Sequence, residues 1–239
     1  DEKTGMVNSV DKYHATTMWD TASYLLALIS ARNLKIITSK DFDSRLNKIL
    51  YSLGRIELFD NSLPNKSYST ATLAMVDYKN NVTKTGIGWS AIDLGRLLIP
   101  LNVIAWNYPQ HTHAVHKVIA RWNMTRLTNN GQLFGAKIEE GKLQLVQEGR
   151  LGYEQYTAKN FSLIGLDVSQ AFDYYRYLQQ TEIYGIFVPY DQRDAKSLGA
   201  HNYVLSEPYV LDGLEFGWDH VSREFAWRIY RVQEERFRR

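Results

Sequence analysis

Gly86-Ile87-Gly88-Trp89-Ser90-Ala91-Ile92-Asp93-Leu94-Gly95-Arg96-Leu97-Leu98 is the stretch whose reading decides the fold. Leu94, Leu97, Leu98 and Leu101 recur at i, i+3, i+4 and i+7, the spacing of one helix face. A ring, Trp89, and a carboxylate, Asp93, stand at the head of that helix. The arrangement recurs. Trp19-Asp20 opens an apolar-periodic segment about 70 residues earlier, and Tyr153-Glu154 opens another roughly 64 residues later. Glu207, Asp212, Glu215 and Trp218 follow about one period further on. Such a period suits two helices and their connections, one αα-hairpin per repeat. Hairpins packed side by side gather equivalent helix starts at one end. Carboxylates and aromatic rings then collect in one cup, as a carbohydrate-processing site requires.

Working outward, Ala22, Leu25, Leu26 and Ile29 mark one helix, and Val115, Val118, Ile119 and Trp122 another. Phe42, Leu46, Ile49, Leu50 and Leu53 mark a third, with Ser39 as its expected cap. Pro100 predicts a kink near the end of the Leu94 helix. Residues 153–166 and 223–237 are further helix candidates, and 132–138 with 142–147 read as a β-hairpin around Glu139-Glu140-Gly141. Two stretches, 61–88 and 183–203, read as long loops on one rim. No linker divides the chain, so a single domain over 1–239 is expected. The expected fold is mainly α, with αα-hairpin repeats forming an incomplete (α/α)6-type toroid. A complete six-hairpin ring has roughly twelve helices, and about six to eight are legible. Phe225, Ile229 and Val232, with Trp227, carry an apolar face to the chain's end, which predicts cover from a second chain or a continuation.

Composition narrows the function classes. A net charge of +2 gives no global electrostatic case for nucleic acid or membrane. The basic run from Arg228 to Arg239 is interrupted by Glu234 and Glu235 and reads as a solvated helix face. The absence of cysteine excludes disulfides, thiolate metal sites and a cysteine nucleophile. No apolar run approaches the ~20 residues that span a bilayer. A start at Asp1-Glu2-Lys3 carries no signal peptide, as in a mature secreted protein. The aromatic fraction of 13% is high, and pyranose CH faces stack on such rings.

Several strings resemble one bacterial family: Thr17-Met18-Trp19-Asp20-Thr21-Ala22-Ser23-Tyr24-Leu25, Leu63-Pro64-Asn65-Lys66, the Gly86–Leu98 stretch and Gln147-Glu148-Gly149-Arg150-Leu151-Gly152-Tyr153-Glu154. Ala200-His201-Asn202-Tyr203-Val204-Leu205-Ser206-Glu207-Pro208-Tyr209-Val210-Leu211-Asp212-Gly213 is a further one. The family is that of domain of unknown function 3131, similar to the glucoamylase-like (α/α) toroids. The resemblance implies an exported bacterial protein, periplasmic or extracellular, with a sugar-chain substrate such as an exopolysaccharide or a glucan. It also implies a domain that continues beyond this chain, and it carries over no catalytic residues.

Glycoside hydrolysis needs one protonated carboxyl and a second that activates water or attacks carbon. Glu148 and Glu154 flank a Gly-Arg-Leu-Gly-Tyr turn, where Arg150 is placed to hold one ionised while apolar surroundings raise the other. Glu207 precedes a proline, so extended backbone is expected there, with Asp212 and Glu215 close behind. The catalytic candidates are Glu148, Glu154, Glu207, Asp212 and Asp93; for Glu148, Glu154 and Asp93 a structural role at a helix start is the competing one. Trp19, Trp89 and Tyr153 are candidate stacking platforms, against core packing. Asp20, Arg150, Tyr190, Asp191, His201 and Asn202 complete the substrate-binding set. Asp191 and Asp194 are too few for calcium, and only His113 and His116 of three nearby histidines share a helix face, so no metal or cofactor is expected. An inverting glycoside hydrolase is favoured. The alternatives are a non-catalytic glycan-binding or assembly module, and a polysaccharide lyase using His201, Asn202 and Tyr203.

Overall fold

Thr17 is the residue at which the first helix becomes possible. Its backbone is extended (φ −91°, ψ 169°), its hydroxyl receives the Asp20 N–H, and the Asp20 carboxylate receives the Thr17 N–H. That reciprocal capping box satisfies two donors the helix cannot pair internally. The computed structural model describes residues 1–193 and 204–239. Two units divide the chain: Asp1–Leu127 with Gly135–Leu145, and Thr128–Phe134 with Val146–Arg239.

The first unit holds β1 (Ala15–Thr17), α1 (Met18–Asn33), α2 (Ser39–Leu53), β2 (Leu58–Phe59), β3 (Leu63–Pro64), β4 (Ser67–Ser69), α3 (Ala91–Asn107) and α4 (Pro109–Ile119). Helix α1 packs on α2 and α3, α3 on α4, and α4 on α2. Helix α3 is apolar nearly all round and buries Leu94, Leu97, Leu98, Leu101 and Ile104, as a helix enclosed by others must. Helices α2 and α4 each bury one face, through Phe42, Leu46, Ile49 and Leu50 and through Val115 and Val118. The cap of α2 is Thr38 rather than Ser39, which is its first helical residue. Pro100 lies inside α3, which is assigned as one helix through it.

Residues 61–88 are not a rim loop. Antiparallel pairs β1–β4 and β2–β3 run through them, and Asn65, Ser67 and Tyr68 are fully buried. Asn65 supplies hydrogen bonds in place of apolar side chains: its amide donates to Ser67 O at 2.8 Å and its Oδ1 receives the Ile87 N–H at 2.7 Å.

The remaining elements are β5 (Thr128–Asn129), β6 (Gln132–Glu139), β7 (Lys142–Gln147), α5 (Tyr153–Leu163), β8 (Leu178–Ile183), β9 (Ile186–Asp191), α6 (Glu207–Phe216) and α7 (His220–Arg238). The sheet order is β5-β6-β7, and the residues of β6 and β7 are divided between the two units. Glu140 and Gly141, at φ 50° and 75°, make the two-residue turn of the expected hairpin. Residues 183–193 also depart from the loop expectation, because β8 and β9 pair from Leu178↔Asp191 to Ile183↔Ile186. That hairpin packs on α7. Leu151, Tyr174, Val188, Tyr209, Phe225 and Ile229 form the core of the second unit. The Phe225 and Ile229 face of α7 is therefore already covered, and Val232 packs beside it. Trp227, Tyr230 and Phe237 are the exposed rings of that helix.

Candidate functional site

In the first unit a single segment brings two helix heads together. Thr17, just before α1, pairs with Ser67, while the neighbouring Lys66 N–H donates to Gly88 O at 2.8 Å, just before α3. Gly88 is at φ +112°, and an added Cβ there would stand 1.9 Å from Ala136 O, so only glycine fits. The two heads meet, but their residues have local roles. Trp89 is fully buried, edge-on to Phe59 at 5.8 Å with the Arg126 guanidinium 4.4 Å from its ring centre. It is a core residue here, which corrects the stacking-platform expectation. Trp19 is half-buried beneath Arg96, at 4.6 Å. Asp20 serves the α1 cap and also accepts from Ser9 Oγ at 2.5 Å. Asp93 occupies the equivalent place in α3, half-buried, its N–H on Ser90 Oγ at 3.1 Å.

In the second unit Gly152 does the corresponding work. At φ +94° it lies against α6, where an added Cβ would stand 2.7 Å from Pro208 Cγ and 3.0 Å from Tyr209 Cε1. The heads of α5 and α6 thus abut. From α5, Tyr153 donates its hydroxyl to Glu207, Tyr156 donates to Glu215, and Lys159 reaches Asp212 Oδ1 at 2.5 Å. These three donors fall at i, i+3 and i+6, one stripe of the helix. Glu207 is the first residue of α6, not extended chain, because Pro208 fits a helix's first turn. It remains exposed. Asp212 is buried, with Lys159 on one oxygen and Ser222 Oγ on the other at 2.5 Å. Its partners here are those of a structural ion pair. Lys159 also meets Asp219 at 2.8 Å, the cap of α7, which receives the Tyr174 hydroxyl at 3.0 Å. Burial works to raise the Asp219 carboxyl, but the Lys159 hydrogen bond and the Ser222 N–H outweigh it and hold it below its usual range.

The densest electrostatics surround Glu154. Its Oε1 accepts from Gln147 Nε2 at 3.0 Å and its Oε2 from Arg193 Nη2 at 2.9 Å. Only 3% of Glu154 is exposed. Burial pushes its carboxyl up to about 7, against the opposing pull of Arg193. Arg193, not Arg150, is the paired cation: its guanidinium also clamps Asp191, with Nε 2.8 Å from Oδ1, and lies 4.1 Å above the Tyr177 ring. Asp191 receives the Leu151 N–H at 2.7 Å and the Arg193 N–H at 2.8 Å. It is buried at the end of β9, so neither the sugar-contact nor the calcium reading fits it. Tyr190 stands half-buried on β9, opposite Gln179. Gly149 makes room for the cluster; a Cβ there would come within 2.5 Å of Glu154 Oε2 and 2.1 Å of Arg193 Nη1. Glu148 and Arg150 are half-buried on either side of it.

Asp194, His201, Asn202 and Tyr203 lie outside the described residues. Among the described residues no group of three His, Cys, Asp or Glu could hold a metal, and His111 is buried against Asp43 at 2.7 Å. Sequence reading missed Arg193, Gln147 and Lys159. Arg193 and Lys159 pair with partners 39 and 53 positions away, beyond any local pattern, whereas Gln147 meets Glu154 across the turn, 7 positions on. The predicted site set itself divides: Trp19, Asp20, Trp89 and Asp93 belong to the first unit, and Glu148, Arg150, Tyr153, Glu154, Tyr190, Asp191, Glu207 and Asp212 to the second.

A mainly helical fold of this kind is shared with glucoamylase-like proteins. A candidate glucoamylase from Bacteroides uniformis aligns at a TM-score of 0.53 with 10% identity, over 82% of this chain and 52% of that one. One from Bacteroides fragilis aligns at 0.50 with 11% identity, over 77% and 46%. An endo-β-1,2-glucanase from Chitinophaga pinensis, solved with sophorotriose and glucose, aligns at 0.50 with 10% identity, over 79% and 47%. The chain spans about half the length of these proteins. It belongs to the family described as "Protein of unknown function (DUF3131)", whose sequence model matches residues 1–239. No curated protein matches it. No helix among the described residues is long and apolar enough to cross a membrane.

Proposed function

We propose that this chain carries the active centre of a glycoside hydrolase, inverting in stereochemistry, that cuts a glucan or a bacterial exopolysaccharide. The observation that carries the reading is Glu154: a buried carboxyl that titrates near neutrality at the head of α5. That is the protonation state a general acid needs. Glu154 Oε1 faces the half-buried Gln147 amide, while Oε2 stays on Arg193. A glycosidic oxygen that displaces that amide receives the proton from Oε1. Glu207, exposed and oriented by the Tyr153 hydroxyl, is the base that activates water; half-buried Glu148 is the second candidate for that role. Tyr153 and Tyr190 supply sugar-contacting surface. An endo-β-1,2-glucanase among the proteins of this fold makes β-1,2-glucan the first substrate to try.

The same reading puts the protein in the periplasm or outside the cell, where it would meet such a sugar chain. We further read residues 1–239 as one domain of αα-hairpins supplying about half of an (α/α) toroid, the rest coming from a continuation or a second chain. The half-length coverage of its structural neighbours supports this.

A glycan-binding module without turnover is the second reading. What favours it is that both oxygens of Glu154 and both of Asp212 are already hydrogen-bonded within the protein. Release of reducing ends from a glucan panel separates the two. The hydrolase reading predicts turnover that Glu154→Gln and Glu207→Gln each cut about 100-fold or more. Retained activity in Glu207→Gln with loss in Glu148→Gln moves the base to Glu148. Binding by titration calorimetry without new reducing ends establishes the module.

A further inference from the structure

Two carboxyls, Glu154 and Asp191, share one guanidinium in a buried cluster. With both ionised, the cluster would bury a net negative charge, which a low-dielectric interior resists. One proton therefore stays. Its location follows from the hydrogen bonds. Asp191 accepts from the Leu151 N–H, the Arg193 N–H and the Arg193 side chain, all donors that favour the ionised form. Among the described residues Glu154 accepts one amide and one guanidinium N–H in the same network.

We infer that Asp191 and Arg193 are positioning residues with opposed effects: Asp191 holds a proton on Glu154, while Arg193 moderates that hold and fixes which Glu154 oxygen faces the substrate. This rests on the proposed hydrolase reading for its role, and on the cluster's geometry for its existence. Arg193 is fixed from several sides. Tyr177 lies under its guanidinium, and Gln147 Oε1 receives Nη1 at 3.4 Å. The other charge felt at Glu154 is Arg176, which favours the ionised form, and on the α6 side buried Tyr209 lies within the field of Asp191. The network thereby joins the end of β7, the turn before α5 and the end of β9 around one carboxyl. Neither acidic partner on α6, Glu207 or Asp212, bonds into it among the contacts described.

The test is a pH titration of the full chain carrying 13C-carboxyl glutamate, with the Glu154 resonance assigned through Glu154→Gln. In the wild type the Glu154 midpoint lies well above that of ordinary glutamates. Asp191→Asn removes the competing negative charge and lowers the midpoint by about one unit or more. Arg193→Gln removes the stabilising cation and raises it, whereas Arg193→Lys restores part of the wild-type value. In a turnover assay, the basic limb of the kcat/KM profile moves in the same direction in each variant. A packing role alone would leave both the midpoint and the limb in place. If Asp191→Asn does not fold, the Arg193→Lys and wild-type titrations still decide. An ordinary Glu154 midpoint in the wild type, or one unmoved by the folded variants, overturns the inference whatever the activity. A shifted midpoint in a protein that cuts no glycan removes the hydrolase reading and leaves the proton-holding cluster standing.

Discussion

Gly152 concentrates what a single residue contributes here. Its φ of +94° and its contact with Pro208 and Tyr209 let the heads of α5 and α6 abut, so any side chain there is both strained and crowded. Gly152→Ala should cost roughly 2–4 kcal/mol, from backbone strain and overpacking together, and should separate Tyr153 from Glu207. Thermal melts and the turnover assay check both effects; a variant as stable and active as the wild type would show that the abutment is dispensable. Trp89→Ala is expected to cost about 3–5 kcal/mol, because it empties a fully buried site, and to leave glycan affinity per folded molecule unchanged. A selective loss of sugar binding would return Trp89 to the stacking role. At this scale the sequence was informative about residue type and place. Asp20, Asp93, Tyr153 and Glu207 do stand in first turns, yet a carboxylate at a helix head is equally a cap, and only the third dimension separates the two. Arg193 was invisible because its partner Glu154 lies 39 residues away.

Among the elements, α5, α6 and α7 are tied by one lysine. Lys159 bridges buried Asp212 and the α7 cap Asp219. Removing it leaves a buried carboxylate without its cation, so Lys159→Ala should destabilise by about 3–5 kcal/mol, read by urea denaturation. Adding Asp212→Asn should recover part of that loss; strict additivity would mean that the two do not act as a pair. Helices were the legible elements, since α2, α4 and α7 carry their periodicity openly. The strands were not. Gln179, Gln180, Thr181 and Glu182 give β8 no apolar alternation, and its signal lay instead in the Tyr184-Gly185 turn, at φ 54° and 77°. The segment around Asn65 departs from expectation for a related reason: Asn65 is buried and its amide is satisfied by backbone groups, whereas composition reads such a residue as surface. Glu207-Pro208 was read as extended because a proline restricts its predecessor, but at a helix's first turn that restriction is tolerated.

For the whole molecule, pH separates two sets of groups. Glu154 has a folded-state value raised from 4.5 to about 7, so the folded form keeps a proton that the unfolded chain releases from about pH 4.5 upward. Its contribution favours the folded state at low pH and is lost as pH rises through about 7, by up to about 3 kcal/mol. Asp43 and Asp219 act oppositely, since their lowered values lose stability on acidification. Wild-type Tm should therefore fall between about pH 5 and 8 by more than that of Glu154→Gln; parallel curves would contradict the assignment. The proposed half-toroid makes its own demand. Trp227, Tyr230 and Phe237 are exposed on α7, and light scattering should find self-association or dye-detectable apolar surface for residues 1–239. A monomer with neither would mean that these residues make a complete fold.

Inverting hydrolysis at Glu154 and Glu207 would show in the 1H NMR spectrum of the first product formed from β-1,2-glucan and a panel of other glucans. The anomer opposite to the cleaved linkage should appear first, with mutarotation following, and Glu154→Gln should give no signal on the same timescale. Retention of configuration, or no new anomeric proton from any glucan, would contradict it.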